Sequence, residues 1–178
     1  VKHLIITSSH NFLLFFTNKG RVFKLKAYEI PESGRQARGT AIVNLLQLDP
    51  GEKVATIIPI EGLRENCCLI MATKQGLVKK TDLMEYKNIR KGGLIAVVLR
   101  DDDELINVSV LEENDDVILA TKHGYSIRFS ESDVRATGRV SQGVKGISLR
   151  EGDEVIGMDV CKEGSTVLVV TEKGYGKR

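Results

Sequence analysis

Between Ala72 and Gly93 the chain reads ATKQGLVKKTDLMEYKNIRKGG, setting Lys74, Lys79, Lys80, Lys87, Arg90 and Lys91 against only Asp82 and Glu85. Cations at this density break no bonds themselves; their chemistry is the neutralisation of a polyanion such as a phosphate backbone. The same bias recurs at Asn18–Gly39 and Thr121–Gly146. With Thr73–Gly93, these windows hold 17 of the 26 basic residues and only 6 of the 24 acidic ones. A chain of net charge +2 is thereby sorted into basic and acidic stretches. The candidate contacts are Lys19, Arg21, Lys24, Lys26, Arg35 and Arg38 in the first window, and the six cations above in the second. Lys122, Arg128, Arg135, Arg139 and Lys145 follow in the third, with Lys173, Lys177 and Arg178 at the end. Gly, Ser and Thr accompany them, which lets backbone amides approach phosphates. Aromatic residues are sparse at 5%, so duplex backbone is expected rather than stacked single strands.

Other chemistries are poorly supplied. His3, His10 and His123 have no recurring carboxylate or nucleophile partner, and His123 sits where sister repeats carry Lys19 and Gln75. Cys67, Cys68 and Cys161 lack the paired spacing of a zinc site and read as free thiols of a reducing compartment. The run Asp101–Glu104 has sister loops PGEK and EGDE without its carboxylate density, which reads as a solvated turn, not a metal site. RKGG at Arg90–Gly93 lacks the strand and helix context of a phosphate-binding loop. No catalytic residue is expected.

The elements that must position the cations form a repeat. FFTNKGRVFKL, IMATKQGLVKKT, ILATKHGYSIRF and VVTEKGYGKR each carry a glycine after an apolar run. Gly20, Gly76, Gly124 and Gly174 are 56, 48 and 50 residues apart, and each marks a strand, a tight turn and a second strand. Glycine-led stretches follow at ARGTAIVNL, KGGLIAVVL and VKGISL, expected to be strands. The acidic turns of PGEKVATIIPI, DDDELINVSV and EGDEVIGMDV then lead into further strands. About four strands per fifty residues is the grammar of a propeller-like array. The expected fold is therefore all-β, with approximate repeats at 1–65, 66–114, 115–164 and an incomplete 165–178. Only AYEIP, TDLMEY and ESDVR read as short helical turns, and residues 1–16 read as a hairpin. In a radial array, charge in phase with the repeat becomes a band on one edge. Lys24, Lys26, Lys79, Lys80 and Arg128 are expected at equivalent outward strand positions of that band, although period-2 alternation cannot give Lys79 and Lys80 the same face, so one of that pair is expected at a bulge or strand end.

No apolar run approaches the roughly 20 residues that span a bilayer, and the first residues do not have the plan of a signal peptide. The chain opens without Met and stops within a repeat, so a piece of a longer protein is expected.

RVFKLKAYEIPESGRQARGTAIVNLL (Arg21–Leu46), MATKQGLVKKTDL, VRATGRVSQGVKGISL and EKGYGKR resemble the C-terminal domain of the DNA gyrase A subunit, and the likeness runs through the chain. That resemblance implies a β-pinwheel, a propeller variant of four-stranded blades that exchange outer strands, present here as about three and a half repeats. It implies a non-catalytic module that wraps double-stranded DNA around a basic rim, within a type II topoisomerase that introduces negative supercoils. The implied partners are DNA, the gyrase B subunit and a second A subunit, with ATP and Mg2+ used elsewhere in the complex and a cytoplasmic, nucleoid-associated location. The family's wrapping motif, Gln-basic-Arg-Gly-Gly-basic-Gly, has only partial echoes in GRQARGTA and IRKGGLIA, so its role is not assigned to Gln36 or Arg38. The A subunit of topoisomerase IV is the related alternative, ahead of a propeller for protein partners or a propeller enzyme with a site in its channel.

Overall fold

The computed structural model describes residues 3–62 and 66–178. The strands among the described residues are β1 (Phe12–Thr17), β2 (Arg21–Lys26), β3 (Val54–Ile60), β4 (Cys68–Thr73), β5 (Leu77–Asp82), β6 (Leu94–Ile95) and β7 (Leu105–Leu111), followed by β8 (Asp116–Thr121), β9 (Ser126–Ser130), β10 (Val144–Lys145), β11 (Val155–Cys161), β12 (Val169–Val170) and β13 (Gly176–Lys177).

One small device builds every hairpin. The turn glycines have φ of 76°, 85°, 85° and 82°, a left-handed conformation that a Cβ would penalise. Each glycine N–H donates to the carbonyl of the threonine three residues earlier. The hydroxyl of that threonine accepts the next N–H, from Arg21, Leu77, Tyr125 or Tyr175, each at 3.2 Å. One-turn 3-10 helices close the far ends at Ala27–Glu29, Leu83–Tyr86 and Glu131–Asp133, as the sequence suggested.

The strands form antiparallel sheets in the orders β3-β1-β2-β6, β10-β5-β4-β7, β11-β8-β9 and β12-β13. The fourth strand of the first sheet comes from the second repeat, and that of the second sheet from the third. Period-2 alternation then serves two cores at once. On β1, Leu14 and Phe16 face Leu69 and Met71 of β4 between the first two blades. Ile70 and Ala72, on the opposite face of β4, join Val117 and Leu119 of β8 between the second and third. Both faces of the second hairpin are buried because a neighbouring blade stands on each side. The innermost strands are also tied together: the Asn107 side chain accepts from the Thr56 hydroxyl at 2.8 Å and donates to the Met158 carbonyl at 2.7 Å.

Two expectations fail locally. Residues 3–7 form no strand and no hairpin with β1; Leu4 and Ile6 are almost fully exposed because no strand among the described residues lies beside them. Val1 and Lys2 lie outside the described residues. The glycine-led stretches are strands for only two residues in β6 and β10. The first one, ARGTAIVNL, is irregular with a 3-10 turn at Ile42–Asn44. The difference is partnership: β6 and β10 pair with the preceding blade's outer strand, and among the described residues no outer strand precedes the first repeat.

Candidate nucleic-acid interface

At the glycine-turn end of the blades, cations and carboxylates meet. The acidic turns are not merely solvated, contrary to the reading of Asp101–Glu104 as a surface turn. Asp101 and Asp102 are exposed, but Asp103 is buried and accepts from the N–H groups of Gln75 and Glu104 at 2.9 Å. Asp153 does the same for His123 and Glu154, and the buried Glu52 accepts the Thr17 hydroxyl at 2.6 Å. These carboxylates brace the hairpin turns. Three predicted contact residues are held at this end. Lys19 donates to the Pro50 carbonyl, and Lys74 and Lys122 lie 3.2 and 3.6 Å from the same Glu154 carboxylate. Lys74 holds the Glu154 carboxyl below the ordinary range, and the same bond raises the Lys74 pKa.

The outer strands hold the largest correction. Lys24, Lys80 and Arg128 do occupy equivalent positions, opposite Leu14, Ile70 and Ile118. Their head groups, however, turn to the protein. Lys24 donates to the Lys87 carbonyl at 2.7 Å, Lys80 pairs with the Glu131 carboxylate, and Arg128 pairs with Asp116 at 2.6 Å. Burial, then repulsion from Lys26, lowers the Lys24 pKa, whereas the bond to Asp116 raises that of Arg128. Lys26 donates to the His10 carbonyl and lies 3.7 Å from the centre of the Phe12 ring. Arg21 spans Asp49 and Glu52 at 2.8 and 2.9 Å and donates to the Gly92 carbonyl at 2.6 Å. Lys79 is 1% exposed, against the expectation that it faces outward. It shares a register position with Phe23 and Ile127, a core-facing place. Outer-strand cations are thus engaged within the protein: Arg21, Lys24 and Lys79 hold covering segments, Lys80 holds the third repeat's 3-10 turn, and Lys26 and Arg128 bind within their own blades. The signal missed is that period-2 alternation assigns a face but does not say what later covers it.

Most of the candidate contacts left exposed sit on the covering segments and on the corresponding loop of the first repeat. Arg35 and Arg38 in the first repeat, Lys87, Arg90 and Lys91 in the second, and Arg135 and Lys145 in the third are exposed. None of these seven side chains has an ion pair among the described residues. Arg139 is half-buried, 3.7 Å from Glu85, and shares a groove with Lys87 and Arg90. The 87–99 segment lies over β2 and the 134–147 segment over β5, so these cations follow the outer rim from blade to blade. Lys173, Lys177 and Arg178 are exposed on the β12–β13 hairpin.

Comparison with known proteins agrees with this architecture. The family model for the DNA gyrase C-terminal domain, beta-propeller, matches residues 11–61, 69–112, 115–162 and 165–178. The DNA gyrase A subunit of Clostridium acetobutylicum is 57% identical over 146 residues, covering 82% of this chain and 18% of that protein. Its counterpart in Halalkalibacterium halodurans is 53% identical over 148 residues, covering 83% and 18%. The chain thus spans about a fifth of the length of these relatives. Among solved structures, the C-terminal domain of DNA topoisomerase IV superposes with a TM-score of 0.86 at 32% identity, covering 95% of this chain and 53% of that one. A DNA gyrase A C-terminal domain superposes with 0.79 at 29% identity, covering 96% and 54%. Four matched segments in phase with the glycine turns, and relatives above 50% identity, place the chain in the family of DNA gyrase C-terminal domains.

Proposed function

We propose that this chain is a DNA-wrapping module of gyrase, which holds double-stranded DNA along the rim formed by the covering segments. The observation that carries the reading is the division of the cations. In the first three repeats, the candidate contacts at the turn end and on the outer strands are engaged by carboxylates and carbonyls of the protein. Those on the covering segments face solvent at corresponding places in successive repeats. A duplex laid across several blades would meet Arg35 and Arg38, then Lys87, Arg90 and Lys91, then Arg135, Arg139 and Lys145. Spaced phosphate contacts release counterions and position the duplex without reading its bases. A rim that turns from blade to blade makes the duplex bend in order to keep its contacts. Bending lets one segment of DNA be presented to another, which is what negative supercoiling by strand passage requires.

Strand cleavage, ATP hydrolysis and Mg2+ binding are assigned to the rest of the complex, with a gyrase B subunit and a second A subunit as partners and the cytoplasmic nucleoid as the location. The acidic side chains Glu52, Asp103 and Asp153 accept from hairpin hydroxyl and N–H groups, so their part here is structural.

Titrating the chain with linear duplexes of unrelated sequence at several salt concentrations tests the reading. Log affinity should fall linearly with log salt, by about 0.9 per phosphate contact, and by the same slope for every duplex. Affinity that ignores salt, or that follows sequence, would refute it.

A further inference from the structure

Lys79 is the one outer-strand cation placed where sister blades carry Phe23 and Ile127. Its ammonium group lies inside the wall and donates to two main-chain carbonyls. One is Ala96 O at 2.7 Å, on the covering segment of the second repeat; the other is Arg139 O, on that of the third. The Tyr86 hydroxyl donates to the same Ala96 carbonyl at 3.3 Å. Nearby, the third-repeat segment is fastened by Thr137 N to Lys80 O at 2.9 Å, and Val98 N to Ser141 O at 3.0 Å joins the two segments directly. One side chain therefore sits at the junction of two consecutive covering segments, which carry Lys87, Arg90, Lys91, Arg135, Arg139 and Lys145.

We propose that Lys79 is a positioning residue of the rim: it binds no DNA itself, but fixes the third repeat's covering segment against the second so that their exposed cations keep one spacing. The functional half of this statement rests on the DNA-binding reading above; the mechanical half does not.

The charged and titratable groups around Lys79 set how the attachment responds to pH. Arg139 faces it from the third repeat and Glu85 and Tyr86 from the 3-10 turn, while Lys80 beside it is engaged by Glu131. Burial, then the Arg139 guanidinium, lowers the Lys79 pKa to about 8, with Glu85 opposing. A neutral amine keeps two N–H donors, enough for two carbonyls. Opening the segment into water would restore the ordinary value of 10.5, so the open form binds more protons. The attachment must therefore tighten as pH rises through 8, by about tenfold between pH 7 and pH 9 for full solvation on opening.

Amide hydrogen exchange on the whole chain, corrected for intrinsic rates, reads this directly at Thr137 and Val98. Wild type should gain about tenfold in protection from pH 7 to pH 9. Lys79→Met, which leaves both carbonyls without the ammonium donor, should lose roughly tenfold or more at pH 9 and show no such pH response. Lys79→Gln, a neutral side chain with two N–H donors, should recover part of the protection and also be flat with pH. It keeps the proposal testable if the methionine variant does not fold. Protection in both variants equal to wild type, or a wild-type profile flat with pH, would overturn the proposal. Duplex binding separates the two readings. The Lys79 variants should weaken affinity while leaving the salt slope unchanged, whereas a slope reduced by about 0.9 would make Lys79 a phosphate contact and defeat the proposal. If Arg90→Ala with Lys91→Ala leaves DNA affinity unchanged, the rim reading fails, while the exchange result still decides the mechanical claim.

Discussion

The second and third blades have the same hairpin, yet they are finished differently. The second has four strands, its outer strand β5 covered by Val144–Lys145 of the next repeat. The third has three, and β9 is an edge among the described residues. At one shared register position the second blade buries a lysine at 1% exposure, whereas the third leaves Ile127 38% exposed. Side-chain polarity alone would order these two the other way. Cover from the following repeat, with carbonyls suited to an ammonium group, decides the matter instead.

The turn glycines repeat the lesson. Gly76 and Gly124 share φ of 85°, but a Cβ on Gly76 would come within 2.9 Å of the Ile147 carbonyl, whereas nothing lies within 4 Å of one on Gly124. Identical local structure thus meets a crowded environment in one blade and open space in the next.

Substitutions at matched positions of the blades test whether cover sets burial. The largest effect is expected in the core between the first two blades, where Phe16→Ala should cost about 3–5 kcal/mol in denaturant unfolding. At the shared position, Phe23→Ala should cost a similar amount and Ile127→Ala below about 1 kcal/mol, since much of that isoleucine is already in water. Equal losses would show that cover does not set the burial. Gly124→Ala should cost about 1–2 kcal/mol for its backbone conformation alone, and Gly76→Ala measurably more. If the two melt alike, the close approach of Ile147 yields without cost.

The smallest effect lies at the turn end. Glu154 has its carboxyl lowered chiefly by Lys74, so its share of stability is present above the unfolded carboxylate range and is lost as pH falls through the lowered folded value. An acid titration of Glu154→Gln should therefore lose a small component at the acid end that wild type shows. Superimposable curves would mean that the pair adds nothing to stability, as is common for exposed ion pairs.

Much of this was legible in the sequence. The threonine and glycine of each turn, the phase of the repeat and the three short helical turns follow from local chemistry, because the interactions that set them span four residues or fewer. Cation recruitment by remote backbone was not legible. Lys24 finds its carbonyl 63 residues away and Lys79 finds one 60 residues away, in segments whose own strand content is two residues each. The acids that brace the turns had a faint signature, the recurrence of Glu52, Asp103 and Asp153 after Thr17, Thr73 and Thr121, but composition alone made them look like solvated loops.

On the proposed reading, free cations on the covering segments meet DNA, and the engaged ones at the turn end do not. The most direct test compares the salt dependence of duplex binding for Arg90→Ala with Lys91→Ala against Lys74→Ala with Lys122→Ala. The rim pair should weaken binding and flatten the slope of log affinity against log salt by about 1.8, two contacts at about 0.9 each, while the turn-end pair leaves the slope at its wild-type value. A flattened slope from the turn-end pair together with an unchanged one from the rim pair would contradict the account.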